Sequence, residues 1–270
     1  MSEKIIELWD STPPDYSGGE TPKLTYYPAA IKQGGGTVLI FAGGGYSCRC
    51  DYEGSVYARY LNSQGLDAFV LDYRVAPTRF PSPLLDARRA MRIIRSNAQF
   101  FGINPEKIAV MGSSAGGHLA ALVSTYRGII AGEGYDDLDK LDPTPNAQIL
   151  CYPVTLYENN PNSYKNLLGD SVDSKRDIVD PSVIADTRTP PAFIWHTAAD
   201  SVVSVSGSYA YATKLKELGV YTEMHIFPFG PHGLGLCDGS ADGRSSPHAA
   251  SWKKLLISWL GLNGFFNRKE

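Results

Sequence analysis

Short apolar runs alternate along this chain with longer segments that have the periodicity of a helix. The run Thr37–Phe41 lies between glycines and is typical of a buried strand. Similar strand-like runs follow at 66–74, 108–111, 147–154, 191–198 and 220–229. The helix-like segments between and after them are 50–65, 81–102, 116–126, 205–219 and 247–261. Strands that alternate with helices predict an α/β fold, with a mostly parallel central sheet and helices on both faces.

The size and composition of the chain suit one such domain. Its 270 residues are 43% hydrophobic and 20% charged, which is enough to bury a sizeable core. Two stretches, 127–146 and 155–190, are polar and do not fit the alternation, and both are too short to be separate domains. We therefore predict a single domain over residues 1–270, with these stretches as loops that either border a binding site or form passive surface.

Charge and cysteine content exclude several classes of function. The net charge of −3 provides no basic surface for nucleic acid or an anionic membrane, and no apolar run is long enough to span a bilayer. The N-terminal residues lack the pattern of a signal peptide, so we expect a cytoplasmic protein. The cysteines do not have the spacing of a metal site, and we expect neither a metal nor a cofactor. These are Cys48, Cys50, Cys151 and Cys237.

The segment 108–122, IAVMGSSAGGHLAAL, contains the clearest chemical signal. Residues 112–116, GSSAG, have the pattern G-x-S-x-G between a strand-like run and a helix-like run. In this motif small flanking residues let the chain turn sharply, and the serine hydroxyl lies at the start of a helix. The register selects Ser114 as the nucleophile, and Ser113 should point elsewhere. The alternative is a glycine-rich turn that only lets the helix pack close to the strand.

A serine nucleophile needs a base, and the chain has five histidines from which to choose. His232 lies in a loop directly after a strand-like run, where α/β sheets place reacting groups. His248 is the second choice. His118, one turn after the serine, is interpreted as a packing or supporting residue, and His196 and His225 as structural.

The acid should lie between the serine and the histidine in the chain, at the end of a strand. Asp200 follows the strand-like run 191–198, whereas Asp177, Asp180 and Asp186 lie in the polar stretch 155–190 without a strand to present them. Asp200 is therefore predicted to complete the triad. A helix cap is its alternative role.

An oxyanion hole would complete the site. The glycine run after the first buried strand leaves backbone N–H groups clear of side chains. We predict Gly43 or Gly44 as one donor and Ala115, the residue after the nucleophile, as the other.

Several motifs together resemble the α/β-hydrolase esterases of bacterial carbohydrate metabolism, and among them the intracellular acetyl-xylan esterases. They are FAGGGY, DYRVAP, MGSSAGGHLA, SYKNLLGD, PPAFIWHTAADSVVSV and FPFGPHGLGL. The resemblance covers nearly the whole chain. It implies an α/β-hydrolase fold with Ser114 as nucleophile, His232 as base and Asp200 as acid. Ala42 is a departure, since related esterases often carry His or Pro before the glycine run.

The expected function is removal of acetyl groups from sugars or xylo-oligosaccharides through an acyl-serine intermediate, without cofactor or metal. The short segment before the glycine run leaves little room for a large cap domain, which favours a small acyl group on a polar alcohol.

Several side chains near predicted strand ends could contact a sugar. Four tyrosines could stack on it or could be ordinary packing, namely Tyr46, Tyr73, Tyr152 and Tyr157. Two arginines, Arg49 and Arg74, could bind a polyol or pair with acids. Three alternatives remain open: a feruloyl esterase, a broad short-chain carboxylesterase and a catalytically silent binding protein. The apolar helix-like segment 247–261 at the end of the chain is also compatible with a homo-oligomer.

Overall fold

The computed structural model describes residues 3–16, 18–134 and 136–266, and it is built on one eight-stranded sheet. The strands of this sheet are β1 (Lys4–Glu7), β2 (Lys23–Tyr27), β3 (Thr37–Phe41), β4 (Asp67–Asp72), β5 (Ile108–Ser113), β6 (Ala147–Cys151), β7 (Ala192–Thr197) and β8 (Thr222–Phe227). A separate hairpin is formed by β9 (Asp238–Ala241) and β10 (Arg244–Ser245).

The strand order is β1-β2-β4-β3-β5-β6-β7-β8. The pairs β1–β2 and β2–β4 are antiparallel, and all neighbours from β4 through β8 are parallel. The carboxyl ends of β3, β5 and β7 therefore lie along the same edge of the sheet. The loops that carry the glycine run, Ser114 and Asp200 all start at that edge.

Nine α-helices occur in the part of the chain that the structure describes. They are α1 (Ser55–Ser63), α2 (Ser82–Ser96), α3 (Ala98–Phe101), α4 (Ala115–Thr125), α5 (Pro161–Leu168), α6 (Val172–Lys175), α7 (Pro181–Ile184), α8 (Ser206–Glu217) and α9 (Trp252–Leu262). Residues of α1 and α9 belong to one core cluster, while α2, α4 and α8 contribute to the other. The helices thus cover both faces of the sheet, as the alternating pattern predicts.

The central strands are buried on both faces because their side chains alternate between the two cores. In β3, Leu39 and Phe41 pack in one cluster, and Val38 and Ile40 pack in the other. All five residues of this strand are buried. A continuous apolar run, rather than an alternating one, is what a strand of this kind requires.

Three features of the fold differ from the sequence expectations. Strands β1 and β2 lie outside the predicted elements, because they are short and lack a buried apolar run: β1 is mostly exposed and β2 is partly buried. The predicted helix 81–102 is divided at Asn97 into α2 and α3. The stretch 155–190 is not mainly loop: it folds into α5, α6 and α7 with intervening 3₁₀ turns.

The stretch 127–146 is held to α2 by buried ion pairs. Arg88 and Arg92 both contact Glu133, at 2.8 and 2.9 Å, and Arg92 also contacts Asp139 at 2.9 Å. Arg89 pairs with Asp136 at 2.5 Å. The described residues of this segment are therefore fixed against the helix, and none of them lines the cavity at Ser114.

None of the helices within the described ranges is long and apolar enough to cross a bilayer.

Candidate active site

Ser114 lies on a sharp turn between β5 and α4, in a backbone conformation that residues with a Cβ rarely adopt. Its φ and ψ angles are 53° and −120°. A non-glycine residue at positive φ is strained, and such strain concentrates at functional positions. The turn presents the hydroxyl group at the start of α4, while Ser113 points away and contacts the Tyr57 hydroxyl at 3.0 Å. The structure thus places Ser114, and not Ser113, at the elbow.

The two motif glycines are required by close backbone contacts. A Cβ on Gly112 would lie 2.1 Å from the carbonyl oxygen of Gly116. A Cβ on Gly116 would lie 2.1 Å from the carbonyl oxygen of Phe41 in β3. Neither position has room for any side chain, so the motif is a steric condition for packing α4 against the strands.

His232 is placed beside the serine by the loop after β8. Its Nε2 atom lies 2.9 Å from Ser114 Oγ, and its Nδ1 atom lies 2.7 Å from Asp200 Oδ2. The loop is held from the outside by Arg244, whose guanidinium donates to the His232 carbonyl at 3.2 Å and to the Tyr52 hydroxyl at 3.0 Å.

Asp200 lies in the loop after β7, with a side chain that is 1% exposed. Its Oδ1 atom accepts hydrogen bonds from the backbone N–H groups of Val202 and Val203, both at 2.9 Å. Burial alone would raise the pKa of this carboxyl, but the hydrogen bonds from His196 and His232 outweigh burial and hold its pKa well below the usual range. The group is therefore ionised and able to orient the imidazole of His232.

His196, which the sequence pattern indicates to be structural, is in direct contact with the carboxylate of Asp200. Its Nε2 atom lies 3.2 Å from Asp200 Oδ2, and its Nδ1 atom lies 2.8 Å from Ser208 Oγ. The side chain is fully buried. The spacing His196–Asp200 was the only signal for this contact, and a spacing of four residues outside a helix is not diagnostic.

The two glycines predicted as oxyanion donors differ in the structure. The N–H of Gly43 donates to Glu53 Oε2 at 2.8 Å, so it is already engaged. Within the described residues, the N–H of Gly44 has no hydrogen-bond acceptor, and this glycine lines the same cavity as Ser114. Ala115 is the first residue of α4, where an N–H has no partner within the helix. These contacts argue against Gly43 and leave Gly44 and Ala115 as the candidate pair.

The remaining histidines lie away from the hydroxyl of Ser114. His118 is buried between the Tyr46 hydroxyl, at 2.7 Å, and the Val179 carbonyl, at 2.8 Å. Burial lowers its pKa to about 4, so the ring is neutral and packs the core. His225 pairs with Glu223, and His248 is exposed with its ring against Phe227.

The carboxylates of the polar stretch serve local structure. Asp180 accepts hydrogen bonds from the backbone of Tyr157 and Ser182, and burial raises its pKa to about 6. Asp186 pairs with Arg188, and Asp177 is exposed.

A cavity of about 250 Å³ opens at Ser114 and His232. One wall is polar and comes from the start of α5, within the stretch 155–190. The other lining residues are Gly44, Gly45, Cys50, Tyr52, Glu53, Asn160, Asn162, Ser163, Asn166 and Val202. Of the two alternatives left open for the polar stretches, 155–190 borders this cavity, whereas the described part of 127–146 is held against α2.

Three of the four tyrosines considered as sugar platforms are buried and cannot stack on a substrate. Tyr46 bonds to His118, Tyr73 donates to the Ala42 carbonyl at 2.6 Å, and Tyr152 donates to Glu53 at 2.7 Å. Tyr157 packs against Tyr164 and Arg176.

The two arginines considered for polyol binding also have protein partners. Arg74 forms a buried ion pair with Asp86, and Arg49 pairs with Glu20. Among the described tyrosines, Tyr52 lines the cavity. Within the described ranges, no group of three or more His, Cys, Asp or Glu side chains could hold a metal.

A serine on a strand–turn–helix elbow, hydrogen-bonded to a histidine that is itself hydrogen-bonded to an aspartate, defines the α/β-hydrolase class when it lies at the carboxyl edge of a mostly parallel sheet. The chain belongs to the BD-FAE family, whose model matches residues 25–215.

Several known proteins that are similar to this chain have names that refer to xylan or xylosides. It is 34% identical to endo-1,4-beta-xylanase B of Butyrivibrio fibrisolvens over 74% of its length, and 31% identical to an acetylxylan esterase of Xylanibacter ruminicola over 75%. It spans only 33% and 42% of these two relatives. The structure of an acetyl ester-xyloside bifunctional hydrolase from Caldicellulosiruptor lactoaceticus superimposes with a TM-score of 0.89, at 37% identity, covering 98% of this chain and 97% of that one.

Proposed function

We propose that this chain is a serine carboxylic-ester hydrolase that removes acetyl groups from sugars or xylo-oligosaccharides. The observation that carries the proposal is the continuous hydrogen-bonded series from Ser114 through His232 to Asp200. It lies beside the N–H groups of Gly44 and Ala115, at the mouth of a small cavity with polar side chains on one wall. The names of the two relatives and of the similar structure support the substrate class.

The geometry supports the following sequence of steps. His232 Nε2 accepts the proton of Ser114 Oγ while the oxygen attacks the ester carbonyl carbon. Asp200 remains ionised and stabilises the imidazolium that forms. The N–H groups of Gly44 and Ala115 donate to the oxyanion, and the alcohol leaves with the proton from His232. A water molecule then attacks the acyl-serine with His232 again as base, which releases the acid and restores Ser114.

The shape and polarity of the cavity favour a small acyl group on a polyhydroxy alcohol. Its volume of about 250 Å³ is small for a ligand site. Asn160, Asn162 and Ser163 provide amide and hydroxyl groups on one wall of the cavity. Such groups suit hydroxyl-rich alcohols better than long apolar chains.

The decisive experiment measures acetate release from acetylated xylo-oligosaccharides, with Ser114→Ala as the matched blank. We expect the parent protein to release acetate and the variant to lose at least about a thousandfold in rate while keeping its fold. Equal rates in the two proteins would refute the proposed nucleophile.

The acyl preference is tested on 4-nitrophenyl acetate, 4-nitrophenyl butyrate and methyl ferulate. Cleavage of 4-nitrophenyl acetate without acetate release from the oligosaccharides would refute the sugar substrate and favour a broad short-chain carboxylesterase. A preference for methyl ferulate would favour a feruloyl esterase.

A further inference from the structure

Glu53 is a buried carboxylate beside the catalytic serine that the mechanism above does not use. It ends a 3₁₀ turn, Asp51–Glu53, and is 2% exposed. Within the described residues, no cation lies within ion-pair distance of it. Burial without a counter-ion raises the pKa of the group and costs stability relative to an apolar side chain.

One oxygen of Glu53 fixes the loop that carries the glycine run. Its Oε2 atom accepts the hydrogen bond from the N–H of Gly43 at 2.8 Å. Gly43 is confined at the same time, because a Cβ built on it would lie 2.7 Å from the Ser113 carbonyl and 3.1 Å from Ser114 Cβ. The peptide that precedes Gly44 is therefore held between Glu53 and the serine elbow.

The other carboxylate oxygen of Glu53 is connected through Tyr152 to the loop that carries His232. Glu53 Oε1 accepts a hydrogen bond from the Tyr152 hydroxyl at 2.7 Å. The same hydroxyl accepts from the N–H of Gly235, three residues after His232, at 3.0 Å. The ring of Tyr152 also packs edge-on against His232, with 5.1 Å between ring centroids.

We propose that Glu53 is a positioning residue that sets the orientation of the Gly44 N–H relative to Ser114 and His232. Through Gly43 it holds the oxyanion loop, and through Tyr152 it holds the histidine loop, so one side chain fixes the spacing between the two. This inference rests on the proposed function, because an oxyanion donor has a role only if Ser114 attacks a carbonyl. Small errors in such positioning lower the rate of the chemical step rather than substrate binding.

The test compares kcat and KM for 4-nitrophenyl acetate in Glu53→Leu, Glu53→Gln and the matched control Asp51→Asn on the same turn. For Glu53→Leu we expect kcat to fall on the order of 10- to 100-fold with KM within about twofold. Glu53→Gln should keep most of the activity, because its amide can accept from Gly43 and donate to Tyr152. Asp51 is exposed, and its variant should resemble the parent.

Two results would overturn the inference. One is an unchanged kcat in a folded Glu53→Leu protein. The other is a loss in Glu53→Gln as large as in Glu53→Leu, which would show that hydrogen-bond geometry is not the cause.

If Glu53→Leu does not fold, Tyr152→Phe decides, since it removes only the hydroxyl, which links Glu53 to Gly235 and also contacts the Tyr57 hydroxyl at 3.2 Å. It should lower kcat several-fold at unchanged KM, and an unchanged kcat would again overturn the inference. Failure of the proposed function itself would be seen separately, as Ser114→Ala activity equal to that of the parent.

Discussion

The contacts of individual side chains favour His232 over the other four histidines as the proposed base. His232 joins Ser114 to Asp200, whereas His118 is enclosed in the core and His248 lies on the surface against Phe227. The series is supported by a second histidine, His196, on the same carboxylate oxygen of Asp200. The site therefore contains more fixed hydrogen bonds than a three-residue description suggests.

The assignment of the base predicts a clear difference between two alanine variants. His232→Ala removes the proton acceptor and should lower kcat for 4-nitrophenyl acetate at least about a thousandfold. His248→Ala removes an exposed ring and should leave kcat within about twofold. Steady-state kinetics on both proteins make the comparison, and circular dichroism verifies their folding. Substantial activity in His232→Ala together with loss in His248→Ala would move the base to His248.

At the scale of elements, the site depends on the close packing of α4 against the ends of β3 and β5. Gly116 contacts the carbonyls of Phe41 and Ala42 so closely that no side chain fits there. The strained serine is thus maintained by the contact between a helix and two strands, rather than by local sequence preference. One polar wall of the cavity at Ser114 is supplied by α5, which lies between β6 and β7 in the chain.

The packing at this contact predicts opposite effects for two glycine substitutions in helices. Gly116→Ala would place a Cβ 2.1 Å from the Phe41 carbonyl. This overlap should lower the free energy of unfolding by roughly 1–3 kcal/mol or more. It should also abolish hydrolysis. Gly261→Ala in α9 meets nothing within 4 Å and should be neutral or stabilising by up to about 1 kcal/mol. Urea unfolding of both variants tests this. A stable, active Gly116→Ala protein would contradict the packing argument.

At the scale of the whole molecule, buried titratable groups couple the stability of the fold to pH. His118 has a pKa of about 4 in the folded protein, because burial disfavours its charged form, against an ordinary value of 6.5. Between these values the unfolded chain binds more protons than the folded one. The contribution of His118 to stability is therefore complete above pH 6.5 and is lost as the pH falls towards 4.

This coupling predicts that His118→Gln flattens the pH dependence of unfolding. In the parent, His118 should contribute a decrease on the order of 2–3 kcal/mol in the free energy of unfolding between pH 6.5 and pH 4. The variant should lack that part of the slope, whatever its stability at pH 7. Denaturant titrations across this range measure the slope, and His248→Gln controls for loss of an exposed histidine. Identical slopes in the parent and His118→Gln would show that His118 does not titrate with unfolding.

The sequence by itself determined the elements that form locally and the order of the chemical groups. The apolar run Thr37–Phe41 and the glycines around Ser114 are constraints of short range, and both are present in the structure as predicted. The order serine, aspartate, histidine placed each group at the end of a strand. Parallel strands bring such ends to one edge, and for that reason the juxtaposition of the three could be predicted.

Only the tertiary structure determined which polar atoms near the site are hydrogen-bonded within the protein and which can face a substrate. Glu53 bonds to Tyr152 across 99 positions of the chain, and His232 bonds to Ser114 across 118. No local pattern indicates that the Gly43 N–H has a hydrogen-bond acceptor among the described residues while the Gly44 N–H has none, or that Tyr152 is buried rather than open to a sugar. These outcomes depend on the packing of separate loops above the sheet, and hydrogen bonding there is determined by distances that only the assembled fold sets.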